Sequence, residues 1–383
     1  MNTYFECKTN KPALSYKCGE AAEFTICLVD NECDIVKYLF KADDGCSGGG
    51  IIKAKDGKFK ISLTCSVPGF VYLRGEACDK NGEPLSDTDI FEGGAGFDID
   101  LIKKHASPPD DFNEFWKEQL CELDKVKPEV IEKKQIYPSN TDGFDVFDMK
   151  IACSGPMPVS GILTVPKGKD IKDLRVRVGY KGYGVVSAPV DTIPNEAVFF
   201  INAHGIENLM PESYYTELAS GKLKDYGFAD EDRESPHGAY FRYMIHRALQ
   251  AVRFAKTLSD NVYVWGGSQG AFQAISATML SDIKYTDVFV PWMCDVHAFL
   301  KGDRLKGNPP AHKAMRYYDL CNMATLRSDN ELKVDIRAGL GDTLCYPAGV
   351  LCMYRTLSCQ KSLTFVQNKS HMYEAPNGEE YKL

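Results

Sequence analysis

Six apolar runs in the C-terminal two-thirds of the chain are continuous rather than strictly alternating. They are RVRVGYKG (175–182), AVFFINAHG (197–205), NVYVWGGS (261–268), DVFVPWM (287–293), KVDIRAGLGD (333–342) and SLTFVQNKSH (362–371). Continuous runs of this length are the pattern of strands covered on both faces, which is the condition of a mostly parallel sheet flanked by helices. Between the second and third lies YFRYMIHRALQAVRFAKTL, where Phe241, Met244, Ile245, Ala248, Leu249, Val252 and Ala255 share one helical face, as a crossover helix requires. FDVFDMKIAC and SGILTVP supply two further candidate strands ahead of these runs. The segment from about residue 125 onward is therefore expected to be an α/β domain.

The first hundred residues follow a different rule. Short strand-like runs (EFTICLV, KFKISLT, FVYLRGEA) are separated by turn clusters at DDGCSGGG, SVPG and DKNGEP, which predicts a small Ig-like β-sandwich. The stretch His105–Asp111 (HASPPDD) breaks that pattern and introduces a helix carrying Phe112, Phe115, Trp116, Leu120 and Leu123 at helical spacing. The expected division is a sandwich over residues 1–105 and a catalytic α/β domain over 106–383. The aromatic residues Tyr4, Phe5, Tyr38, Phe40, Phe59, Phe70 and Tyr72 of the first part are expected in its core or against the second part. The stretch from Ile206 to His237 has no clear pattern and is expected to be a long loop over the C-terminal strand ends.

Several function classes are excluded by composition. A formal charge of −8 and the absence of any basic run argue against nucleic acid as a partner. No apolar stretch is long enough for a membrane helix, and the first residues, MNTYFECKTN, lack the basic and apolar regions of a signal peptide. Of the 14 cysteines, seven (Cys7, Cys18, Cys27, Cys33, Cys46, Cys65, Cys78) precede residue 100, an odd number without any CxxC pair. Free thiols, a reducing cytoplasm and no structural metal are the expectation.

Gly266-Gly267-Ser268-Gln269-Gly270 matches GxSxG, the turn that lifts a serine above the end of a sheet strand. Gly45-Cys46-Ser47-Gly48-Gly49 matches as well, so the pattern alone decides nothing. Context does: NVYVW precedes Ser268 and the helix pattern AFQAISATML follows, whereas Ser47 sits in a glycine-rich hairpin turn. A serine hydroxyl needs a base oriented by a carboxylate. Of the histidines after Ser268, His371 stands just past the last long strand, while His297 and His312 do not and are expected to be surface or structural residues. Asp342 ends the preceding strand and is the favoured acid. Asp295, one strand earlier, is the competitor, with a capping role as its other reading. The oxyanion donors are expected to be the backbone N–H of Gln269 and one within Lys181-Gly182-Tyr183-Gly184.

Taken in order, DDFNEFW, KGYG, YFRYMIHRALQAVRFA with GGSQG, GLGDTLCYP and NKSHMYE resemble carbohydrate esterase family seven, the acetyl xylan esterases and cephalosporin C deacetylases of the α/β-hydrolase fold. The resemblance runs from about Pro108 to the C-terminus. It implies Ser268, Asp342 and His371 as the catalytic triad and the N–H groups of Tyr183 and Gln269 as the oxyanion hole. It also implies removal of acetyl groups from a small acetylated carbohydrate without a cofactor, and a homo-oligomer. Pocket walls are expected from Tyr183, Trp292 and the 206–237 stretch. The chain departs from the family in having His204-Gly205-Ile206 where Arg-Gly-Gln is expected, which puts substrate range in question. The alternatives are an esterase or acyltransferase for other small esters, a serine peptidase, or an inert carbohydrate-binding relative.

Overall fold

The computed structural model describes residues 4–29, 33, 35–85, 90–229, 231–301, 312–372, 374–376 and 378–383. Seven strands come first: β1 (Tyr4–Thr9), β2 (Ala22–Val29), β3 (Ile35–Ala42), β4 (Ser47–Lys53), β5 (Phe59–Leu63), β6 (Gly69–Cys78) and β7 (Phe91–Phe97). They form two antiparallel sheets, β1-β2-β5 and β4-β3-β6-β7. Alternate residues of β2 and β5, among them Phe24, Ile26, Phe59 and Ile61, turn into a shared core with Phe5, Val71, Phe91 and Phe97. Ser47 opens the edge strand β4 and is not in the hairpin turn itself, which ends at Cys46.

The remaining ten strands make one sheet. In chain order they are β8 (Val130–Ile136), β9 (Phe144–Ile151), β10 (Val159–Pro166), β11 (Arg175–Tyr180), β12 (Glu196–Ile201), β13 (Val262–Gly267), β14 (Tyr285–Phe289), β15 (Ser328–Gly339), β16 (Ser358–Val366) and β17 (Glu380–Lys382). In space they run β17-β16-β15-β14-β13-β11-β12-β10-β9-β8. All five pairings from β12 through β11 to β16 are parallel; those at the two ends of the sheet are antiparallel. This is an α/β-hydrolase-type sheet. The edge strand β8, sequence VIEKKQI, escapes a reading based on apolar runs because its residues are almost all exposed, and its charges blunt the open edge.

The helices Phe241–Leu258 and Gln269–Met279 cover one face of the sheet centre. The first buries the apolar stripe predicted for it, and the second is buried at every position, as a helix wedged between a sheet and other helices must be. The opposite face is not covered in the same way. Arg175 and Arg177, which alternate with Val176 and Val178 on β11, lie half-buried over aromatic rings of neighbouring strands, 3.7 Å from the Tyr263 centroid and 4.8 Å from that of Trp265. The 206–237 stretch is not one loop: it contains helices Glu212–Ser220 and Glu231–Glu234.

The N-terminal sheets dock on the loops that follow β15 and β16. Gln367 holds Gly94 of β7 at both backbone groups, accepting from its N–H at 2.9 Å and donating to its carbonyl at 2.8 Å. Asn368 accepts from Glu92 N–H and donates to Phe5 carbonyl at 2.6 Å. Phe70 meets Phe365, and Tyr72 meets Tyr346, at centroid distances of 5.8 and 4.9 Å. Phe70 and Tyr72 thus serve the contact between the two parts, while Phe5 and Phe59 serve the sandwich core. At Gly341 the backbones come so close that a Cβ would lie 2.3 Å from Glu92 carbonyl carbon. Gly341→Ala is expected to destabilise the protein by about 1–3 kcal/mol, the usual cost of forcing a methyl group into a filled contact. A urea-denaturation midpoint unchanged from wild type would show that the two parts do not meet as described.

Candidate active site

The turn after β13 is built by three glycines. A Cβ on Gly266 would lie 2.5 Å from Gly270 backbone, one on Gly267 2.2 Å from the Phe289 ring, and one on Gly270 2.2 Å from Tyr180 carbonyl oxygen. Only hydrogen fits at these positions, so the helix approaches β13 and β11 closely at Gly266 and Gly270 while Gly267 clears the Phe289 ring, and the residue between them is forced out of ordinary geometry. That residue is Ser268, with φ 55° and ψ −121°. Its strain, of order 1–3 kcal/mol for such a conformation, is held by Ser268 N–H donating to Phe289 carbonyl and by Ser268 carbonyl accepting from Phe272 and Trp292. Val290, Met293 and Asp295 in the neighbouring loop also have positive φ.

Ser268 Oγ lies 2.9 Å from His371 Nε2, and His371 Nδ1 lies 3.0 Å from Asp342 Oδ2. Asp342 is completely buried, and its Oδ1 accepts from the N–H groups of Leu344 and Cys345, each at 2.8 Å. A carboxylate so fixed makes Nδ1 the protonated nitrogen of His371, which leaves Nε2 to accept from the serine hydroxyl. Cys345 is also close to Ser268, but burial first and the Asp342 charge second push its thiol up, so it stays a thiol and does not compete as nucleophile. Asp342, Cys345 and His371 are also the one set of potential metal ligands found among the described residues, with donor atoms within 4.8 Å of one another.

The rival residues are elsewhere. Asp295 is buried and accepts from the backbone N–H groups of His105 and Ala106, at 2.9 and 2.6 Å, so it ties down the stretch joining the two parts of the chain and orients no histidine at Ser268. At the start of the short helix Val296–Lys301 the Asp319 carboxylate accepts from the N–H groups of Asp295 and Val296. Burial, with the Asp295 charge adding to it, pushes Asp319 up to about 7. His297 lies in that same helix, and burial holds His312 down to about 4.

A cavity of about 750 Å³ opens over Ser268 and His371. Tyr183, Gln269 and Trp292 line it, together with Phe228 from the 206–237 stretch. The N–H groups of Tyr183 and Gln269 donate to no acceptor among the described residues, and Gln269 is the first residue of its helix, where such a group has no partner within the helix.

The loop bearing Tyr183 is gripped at the next residue. Gly184 N–H donates to Tyr226 hydroxyl at 2.9 Å, and Tyr226 in turn donates to Gln269 Oε1 at 3.3 Å while its ring stacks on Tyr183 at 5.2 Å. Gly184 carbonyl is 3.2 Å from His204 Nε2, and His204 Nδ1 is 2.7 Å from Tyr240 hydroxyl. Burial, then the Arg247 charge, pushes His204 down to about 4, so its ring is neutral at pH 7. A carbonyl can only accept, so Nε2 carries the proton and Nδ1 accepts from Tyr240. His204 thus braces the loop as a neutral donor at a position where a guanidinium was expected. Tyr226 belongs to no motif, and Tyr240 merely opens the stretch YFRYMIHRALQAVRFA, where no pattern marks it as a partner of His204.

A family model described as acetyl xylan esterase (AXE1) matches residues 98–382. Acetyl esterase Axe7A of Xylanibacter ruminicola is 24% identical to the chain over 393 residues, spanning 93% of this chain and 84% of that protein. Among solved structures, an acetyl xylan esterase from Paenibacillus sp. R4 superposes with a TM-score of 0.59 at 18% identity, covering 72% of this chain and 93% of its own. Acetyl xylan esterase 1 from Thermoanaerobacterium sp. JW/SL YS485 gives 0.54 at 17% identity, with 72% and 92% covered. These two likenesses show a shared fold.

Tyr226→Phe keeps the ring and removes both hydrogen bonds that hold Gly184 and Gln269. It is expected to lower kcat on an acetyl ester by about tenfold, less than the hundredfold or more typical of losing an oxyanion donor outright, with little change in KM. A rise in KM at constant kcat would show that Tyr226 serves substrate binding and does not position the loop.

Proposed function

The chain belongs to the acetyl xylan esterase (AXE1) family, and from that premise we propose that Ser268, His371 and Asp342 carry out deacetylation through an acyl-enzyme. The protein is a carboxylic ester hydrolase of the deacetylase type. In the proposed reaction Ser268 Oγ attacks the ester carbonyl while His371 Nε2 takes the hydroxyl proton. Asp342 holds Nδ1–H and stabilises the imidazolium that forms. The negative charge appearing on the carbonyl oxygen is met by the N–H groups of Tyr183 and Gln269, donors whose placement in a folded backbone requires no reorganisation as the charge develops. His371 then gives its proton to the departing alcohol, and a water activated by the same nitrogen releases acetate. The residues named are sufficient for each of these proton transfers.

The observation that carries this reading is the unbroken hydrogen-bonded chain from Ser268 through His371 to a buried Asp342, with the serine in a strained turn. The alcohol half is proposed to be a sugar hydroxyl, by analogy with the relatives whose names specify acetyl xylan.

Hydrolysis of p-nitrophenyl esters from acetyl to octanoyl, with Ser268→Ala as the blank, tests both parts. Ser268→Ala is expected to lower kcat on the acetyl ester by about 10⁴-fold or more, and Asp342→Asn by about 10⁴-fold. Rates should fall steeply beyond acetyl. Full activity in Ser268→Ala would refute the mechanism, and a preference for octanoyl would refute the small-acyl assignment.

A further inference from the structure

We propose that Asp191, with Trp265 and the two phenylalanines beside it, forms a subsite for the carbohydrate half of the ester. The inference rests on the deacetylase reading and specifies where the alcohol lies. An acetyl group occupies only a corner of a cavity of about 750 Å³, so most of that space belongs to what the acetyl is attached to. The lining of the remainder is informative, because it is not simply apolar.

On the sheet face that carries no long helix among the described residues, Phe200, Trp265 and Phe289 come from β12, β13 and β14. Gly179 of β11 pairs with both Phe200 and Trp265, and Phe289 pairs with Gly267, so the three side chains stand in adjacent rows beside Ser268. The absence of side chains at Gly179 and Gly267 makes the room, since a Cβ at either would lie within 2.7 Å of the Phe200 or Phe289 ring. Trp265 is 5.9 Å from Phe200 and 5.2 Å from Phe289 between centroids, and it is half-buried and lines the cavity.

Into this aromatic wall the chain sets a carboxylate. Asp191 lines the same cavity with about a third of its side chain exposed (34%). Arg177 donates to its Oδ2, and Arg177 is itself fixed over the Trp265 ring. The other oxygen, Oδ1, receives no hydrogen bond among the described residues. A carboxylate oriented on one side by a guanidinium and open on the other is a strong acceptor for hydroxyl donors. A long acyl chain would find such a group costly to bury against. A sugar ring suits both parts, with C–H faces for the aromatic wall and hydroxyl edges for Asp191. Trp265 lies within the strand that delivers Ser268, so a ring held there is kept in register with the nucleophile.

The test compares two substrates and one binding measurement. For Asp191→Asn and for Trp265→Leu, kcat/KM on acetylated xylotriose is expected to fall by about tenfold more than on p-nitrophenyl acetate, the scale of one lost charge-assisted hydrogen bond or its apolar counterpart. In the Ser268→Ala background, calorimetric titration with unacetylated xylotriose should show binding weakened by a similar factor in both variants. Equal falls on the two substrates would overturn the proposal, because they would mean that Arg177, Asp191 and Trp265 only hold up the wall. Xylotriose binding that neither variant weakens would overturn it too. A wild type that binds xylotriose but releases no acetate from its acetylated form would count against the deacetylase reading while leaving the subsite standing.

Discussion

The contact between β13 and the helix Gln269–Met279 is the constraint on which the rest of the site depends. Gly266 there, Gly270 against β11 and Gly267 against Phe289 of β14 admit only hydrogen, and the resulting closeness drives Ser268 into a backbone conformation that non-glycine residues rarely adopt. The strain is local and is tied off by hydrogen bonds to β14 and its following loop, so the serine hydroxyl has a fixed direction before any substrate arrives. The same turn starts a helix at Gln269, which leaves an N–H beside the hydroxyl that has no partner among the described residues. One piece of backbone therefore supplies both of the groups proposed as nucleophile and oxyanion donor.

The second proposed donor has no such local origin. Tyr183 lies in an irregular loop as an exposed residue (58%), and nothing in its immediate sequence would keep it in place. Its position is secured at Gly184, whose N–H and carbonyl are taken by Tyr226 and His204 from two different segments. Replacing a guanidinium by a neutral imidazole at 204 does not leave this loop unsupported, because the ring spans Gly184 and Tyr240 with one nitrogen each. The cost is acid sensitivity. The ring stays neutral in the folded protein down to about pH 4 but takes up a proton near 6.5 when unfolded, so this contribution to stability is whole above pH 6.5 and is lost as pH falls toward 4.

The N-terminal sheets bear on the other side of the site. Glu92, Gly94 and Phe5 contact Gln367, Asn368 and Gly341, which flank His371 and Asp342 in sequence. The acid and the base come from separate loops, and the same pair of sheets braces both. A role in holding the triad is therefore closer to what these contacts do than an independent role for a detached module.

What the sequence determined by itself was whatever local geometry decides. Apolar runs separated by a helical pattern imply the strands of a parallel sheet, although only one face of that sheet is covered by long helices among the described residues. GGSQG between a strand and a helix implies a strained serine, Asp342 and His371 follow from standing at strand ends in chain order, and Ser268, His371 and Asp342 meet within hydrogen-bond distance. Where exposure or distance decides, the sequence was silent or misleading. The charged strand β8 shows no apolar pattern because it is a solvated edge, and the helix Glu212–Ser220 has little apolar surface to announce it. Asp295 looks like a catalytic acid at a strand end and instead anchors residues 105 and 106, nearly two hundred positions away. Tyr226, His204 and the pairing of Arg177 with Asp191 likewise depend on segments that only chain folding brings together. Side-chain partners of this kind are set by the packing of whole elements, and no pattern along the chain encodes them.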